Sequence, residues 1–216
     1  LGVYKDTLNK QLYKTVQIPL ITTISVNPPQ GSNCSNSVTV CLQEGTYIGN
    51  VDVPLTTHGY HLVFERCCRN TNQVNIPDNF GQSYYAFIPS ASLKNSSPKY
   101  SGVPAPYICV NDSTTYLNSA LDPDGDSLTY TLVRPWAGGT NTNPNPTPSA
   151  TLTLPITPVG YNFGYSASKP FGNSGYAGIE TTTGLTTMLT TKQGLYSMAI
   201  EVTEWRNGVA ISSIRR

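Results

Sequence analysis

Hydrophobic and polar positions in this chain alternate in short runs, and almost nothing repeats at helical period over a useful length. The runs are YKTVQIPLITTISV (13–26), SVTVCL (37–42), GYHLVFER (59–66), SYYAFIP (83–89), SLTYTLV (127–133), ATLTLPI (150–156) and LYSMAIEVTEW (195–205), each flanked by Gly, Pro, Asn or Asp. In YHLVFER, Tyr60, Leu62 and Phe64 fall on one pleat face and His61, Val63 and Glu65 on the other, which is a half-buried strand. The last residues, GVAISSIRR, still alternate. Strands this short and frequent predict an all-β protein built of sandwiches. A proline-rich stretch, NSSPKYSGVPAPYICVND (95–112), predicts a boundary, giving one β-sandwich domain at 1–98 and a second at 99–216. The low-complexity piece AGGTNTNPNPTPSA (137–150) reads as an exposed loop between strands of the second.

Composition narrows the setting. Charged residues make up 12% of the 216, and 18 glycines and 17 prolines accompany abundant Thr, Ser and Asn, so the polar surface is mostly uncharged. That suits an extracellular β-protein better than a cytosolic helical one. Net charge is +1 and no basic cluster exceeds Arg215 and Arg216, which argues against nucleic acid or an anionic membrane as partner. No apolar run reaches the roughly 18 to 20 residues of a membrane-spanning helix, and no secretion signal opens the chain. Its abrupt ends suggest a piece of a longer polypeptide.

Five cysteines, Cys34, Cys41, Cys67, Cys68 and Cys109, form an odd set. Consecutive strand residues point to opposite faces, so the expectation for Cys67 and Cys68 is that each fastens the strand end to a different neighbour. A bond directly between them demands a distorted peptide unit and is the lesser alternative. Cys34 and Cys41 bracket a loop-sized segment, and Cys109 is a natural partner for one of the pair. A zinc site from His58, His61, Cys67 and Cys68 matches no common ligand spacing; the simpler reading is two surface histidines beside structural cysteines.

The most chemically loaded segment is SALDPDGDSLTYTLV. Asp122, Asp124 and Asp126 alternate through a Pro and a Gly, so a tight turn can converge three carboxylates as hard ligands for Ca²⁺. The same residues are standard turn formers, and a bare turn is the competing reading. Position twelve of the loop is Val133 and a strand follows, which excludes an EF-hand. Glu201 and Glu204 can complete a site if their strand ends nearby, or can pair with Arg206 or Arg134. Catalysis is not expected, since the sequence contains no nucleophile elbow, phosphate loop or evident carboxylate pair. Aromatic residues around the second-half loops, Trp136, Tyr161 and Tyr165 foremost, suggest stacking on a polysaccharide as an alternative role, against ordinary cross-strand packing.

These segments together resemble a family of very large surface proteins of Bacteroidota, associated with gliding motility and export by the type IX secretion route. The resemblance rests on VYKDTLNK (3–10), YHLVFERCCRN (60–70), NSSP (95–98), PAPYICVND (104–112), DPDGDSLTY (122–130) and EVTEWRNGVAISSIRR (201–216). Family members usually carry a cysteine where this chain has Thr7, and their pattern continues past Arg216. The second half also resembles a cadherin-type module. The resemblances imply two consecutive Ig/cadherin-like β-sandwich domains, an extracellular location at the cell surface, and neighbouring modules or copies of the same protein as partners. They imply Ca²⁺ at Asp122, Asp124 and Asp126, with Asp112 a weaker candidate, and O-glycosylation at the triplets beginning Asp6, Asp112 and Asp126. The expected function is a non-catalytic building block of an adhesin or filament.

Overall fold

The structure, a computed structural model, describes residues 1–26, 42–78, 80–90, 92–104 and 107–216. Among these residues it is all strand, turn and loop, with no helix. In the first half the strands are β1 (Gly2–Lys5), β2 (Leu12–Thr15), β3 (Leu20–Val26), β4 (Leu42–Tyr47), β5 (Tyr60–Arg66) and β6 (Gln82–Ile88). Then come β7 (Lys99–Tyr100), β8 (Thr114–Leu117), β9 (Ala120–Leu121), β10 (Ser127–Val133), β11 (Tyr176–Ile179), β12 (Leu185–Leu189), β13 (Ala199–Arg206) and β14 (Val209–Arg215).

These strands form a four-stranded sheet in the order β2-β1-β5-β6, two three-stranded sheets, β10-β13-β14 and β11-β12-β8, and the pairs β3-β4 and β7-β9. Every ladder between named strands is antiparallel. The alternation in β5 holds in part: His61 and Val63 are buried while Phe64 and Arg66 face solvent, but Tyr60, on the face of Phe64, is buried and Glu65, on the face of His61 and Val63, is half-buried.

Two apolar clusters lie beneath these sheets. Tyr4, Val63, Trp136 and Ile156 form one, backed by Leu152 and Leu154; Ala120, Tyr130, Ile200 and Val202 form the other. The core under the first sheet therefore draws on both halves of the chain. Close backbone approach makes this possible: the Gly81 N–H donates to the Gly139 carbonyl at 2.9 Å, and a Cβ on Gly138 would collide with the backbone of Gln82.

Several predicted strands take another form. The run 13–26 divides into β2 and β3 around Pro19, which has no N–H for a ladder. Residues 150–156 form no strand. They lie as an irregular segment with one bridge, Gln11 to Thr151, where Pro155 removes a ladder donor while Leu152, Leu154 and Ile156 still reach the core. The run 37–42 lies outside the described residues except for Leu42, as do Cys34 and Cys41.

Candidate metal centre

A tight turn between strands of two different sheets builds the acidic site. Asp122 to Asp126 turn the chain from β9 into β10, with Gly125 at φ +82°, a left-handed conformation that suits glycine. The Asp122 Oδ1 accepts the backbone N–H groups of Asp124 (2.9 Å) and Asp126 (3.1 Å), an Asx-type turn that pulls the three carboxylates together. Register then supplies the fourth: Glu204 of β13 stands opposite Leu128 of β10 and Ser212 of β14. One oxygen from each of Asp122, Asp124, Asp126 and Glu204 lies within 4.8 Å of the others.

Each carboxylate has a different environment. Asp126 receives Arg206 on both oxygens, Nε to Oδ1 at 2.8 Å and Nη2 to Oδ2 at 2.5 Å, and this pairing holds its pKa below the ordinary 3.8. Asp124 Oδ2 accepts the Ser96 N–H at 2.5 Å. Glu204 is fully buried; Ser212 (2.5 Å) and Asn95 (3.0 Å) donate to its Oε2, but its Oε1 has no partner, and neither has the buried Oδ2 of Asp122. Burial pushes the Glu204 pKa above 4.5, the hydrogen bonds from Ser212 and Asn95 oppose this, and a carboxyl–carboxyl hydrogen bond with Asp126, available when one of the two is protonated, pushes it further up together with the charge of Asp122.

Four carboxylates thus face one guanidinium, with two oxygens left empty-handed where water does not reach. The cluster could hold a hard cation such as Ca²⁺, which takes all-oxygen ligation by carboxylates. Asp112 is exposed and stands outside this group. Glu201, the other acid the sequence offered, is engaged by Arg215 at 2.7 Å.

The double cysteine departs from expectation. Cys67 and Cys68 are bonded to each other across a cis peptide, rather than to two separate neighbours. The pleat argument fails because β5 ends at Arg66, so the pair is not extended strand. The fastening falls to backbone and to Arg69: the Cys67 N–H donates to the Pro144 carbonyl (2.8 Å), and Arg69 donates to the carbonyls of Gly81 (3.1 Å) and Trp136 (2.9 Å). Sequence offered no signal for Arg69 beyond its place beside the cysteines. Cys109 is also disulfide-bonded.

His61 is no surface histidine. It is buried between Asp6, 3.0 Å from its Nε2, and the Tyr85 hydroxyl, 2.9 Å from its Nδ1. The neutral ring fits both, with Nε2–H donating to Asp6 and Nδ1 accepting from Tyr85. Burial lowers its pKa below 6.5, against the pull of Asp6, with Lys10 adding to the lowering. A lowered histidine pKa gives stability that is complete above 6.5 and declines as pH falls through that value. Urea melts in CaCl₂ are expected to show this decline between about pH 7 and 5, and His61→Gln, which keeps one donor and one acceptor, is expected to flatten it. Among the described residues no group of histidines and cysteines is arranged to hold a metal.

Trp136, foremost of the aromatic candidates, lies elsewhere than a sugar platform requires. Trp136 is a core residue, its ring covered by the Arg215 guanidinium at 3.8 Å and met edge-on by Tyr85 at 5.6 Å. Tyr161 buries its hydroxyl and Tyr165 is half-buried. Comparison with protein-family models, curated proteins and solved structures finds no match to this chain.

Proposed function

We propose that the chain is a non-catalytic structural module of an exported cell-surface adhesin or filament protein, stiffened by disulfides and by Ca²⁺ held at Asp122, Asp124, Asp126 and Glu204. The observation that carries this reading is the pair of unpartnered buried oxygens, Glu204 Oε1 and Asp122 Oδ2, at the point where the four carboxylates converge. A bound divalent ion supplies the positive charge that Arg206 alone does not.

The site's neighbours explain why filling it stiffens the fold. Asn95 bridges Glu204 and Arg206, Arg206 also holds the Lys94 carbonyl (2.9 Å), and Ser96 is tied to Asp124. The segment leaving the first half is thereby anchored to the turn and to β13 of the second. Disulfides support an oxidising, extracellular setting, and the resemblance to large Bacteroidota surface proteins points the same way. Neighbouring modules or further copies are the partners this role requires.

Pulling single molecules from both ends tests it. The unfolding force in CaCl₂ is expected to exceed that in EDTA, and Asp124→Asn is expected to bring the two together. Identical forces in both buffers for the parent would remove the stiffening role.

A further inference from the structure

A groove of about 1640 Å³ lies apart from the acidic cluster, none of whose residues lines it. Its walls come from β5 and β6, from Gln17 to Pro19 and Tyr47 beside the β3-β4 hairpin, and from the segment 145–157. We propose that this groove binds a neutral polysaccharide.

Three features of the lining select that ligand. First, Phe64 and Tyr84 are directly opposed across β5 and β6, and their rings stack with centroids 6.1 Å apart and planes 28° from parallel. Both remain more than 40% exposed, at 41% and 47%, so flat apolar faces are offered to solvent where burial was available one residue away. Sugar rings present C–H faces that pack on such surfaces. Second, the remaining lining is rich in uncharged hydrogen-bonding groups, Gln82 and Asn145 among them, which suit hydroxyls. Third, the only charged side chains in the described lining, Glu65 and Arg66, are of opposite sign and already engaged. Glu65 accepts from Ser83, and Arg66 donates to Asn145. The Leu1 ammonium at the same wall donates to the Val16 carbonyl (3.1 Å), so a polyanion meets no cluster of cationic side chains there.

Size adds to the argument. Pockets for single small molecules run to about 1,000 Å³, so this groove suits several linked residues rather than one. β5 is an interior strand, paired with β1 and β6, so recognition at Phe64 goes through side chains and not through an added peptide strand.

Native electrophoresis in gels containing hydroxyethylcellulose, mixed-linkage β-glucan or galactomannan tests this, with alginate as the polyanionic comparison and CaCl₂ throughout. At least one neutral polymer is expected to retard the protein, and Phe64→Ala with Tyr84→Ala to weaken that retardation roughly tenfold or more. Tyr84→Leu, which keeps apolar bulk but loses the flat face, is expected to weaken it too, with an unchanged melting curve as proof of folding. The proposal is overturned by mobility unaffected in all three neutral gels, by retardation in alginate alone, or by retardation that survives in both variants. The melting response to Ca²⁺ is read separately, so either idea can fail alone.

Discussion

In EDTA at neutral pH, Glu204→Gln is expected to melt at or above the temperature of the parent, and in about 10 mM CaCl₂ the order is expected to reverse. The parent without a cation must either ionise Glu204 among Asp122, Asp124 and Asp126 or keep it protonated, and its raised pKa records that cost. Glutamine can still accept from Ser212 and Asn95, and its amide hydrogens can donate toward the oxygens that Glu204 Oε1 opposes. The variant therefore gains in EDTA what it loses in ligand capacity.

The pH dependence carries a sign of its own. A carboxyl whose folded pKa lies above 4.5 gives stability that is present below 4.5 and lost as pH rises through the folded value. In EDTA the parent is thus expected to lose stability relative to Glu204→Gln as pH rises above about 4.5. Asp126, with its pKa lowered by Arg206, contributes stability above 3.8 that disappears only at more acid pH, outside this window. The His61 contribution has the opposite sign, but parent and variant share it and the difference removes it.

Magnitude follows from mass action. Extracellular Ca²⁺ modules bind with Kd of about 10⁻⁴ to 10⁻³ M. At about 10 mM ion the gain is roughly 1.4 to 2.7 kcal/mol, or roughly 3 to 10 °C for a chain of this size. Melting curves of the parent that coincide in CaCl₂ and EDTA would make the cluster a proton-sharing group of acids on a turn, and the stiffening would rest on disulfides alone.

Period-two alternation made the strands that face one core legible: β5, β6, β10 and β13 lie where the pattern places them. The acidic turn was legible for the same reason, since Asp, Pro and Gly at alternating positions are chemistry written in sequence order. Glu204 was visible only as one of two acids on a strand. Choosing it over Glu201 takes the register of β13 against β10 and the position of Arg215, neither of which a single sequence contains. Trp136 misled because an aromatic residue beside a loop looks like a platform, while its burial depends on β1, β5 and Arg215 folding over it. Phe64 appeared as an ordinary core-alternating residue, and its exposure comes from which face of the sheet the second half covers.

Asn75→Ala is expected to be among the most damaging single changes in the chain, lowering stability by about 3 kcal/mol or more and the melting temperature by roughly 6 to 12 °C. Asn75 is fully buried, and its side chain is fully used: Nδ2 donates to the carbonyls of Pro170 (3.0 Å) and Ser197 (2.7 Å), and Oδ1 accepts the Ser197 N–H (2.9 Å). Its own carbonyl accepts from the Asn162 N–H at 2.9 Å, while the Asn162 side chain donates to Val74 at 3.0 Å. Four stretches of chain that form almost no ladder with each other are held by this one amide and its neighbours. No hydrophobic pattern announces it, because TNQVNIPDNF has no alternating apolar run. Alanine strands two carbonyls and one N–H, each worth about 1 to 3 kcal/mol when left dry. Asn75→Asp is expected to be worse at neutral pH than in acid, since an ionised carboxylate would meet the carbonyl oxygens that the amide now satisfies. Urea melts of both variants check this. An alanine variant within about 0.5 kcal/mol of the parent would mean that water reaches the site, and that the loops from 160 to 198 are held by something other than Asn75.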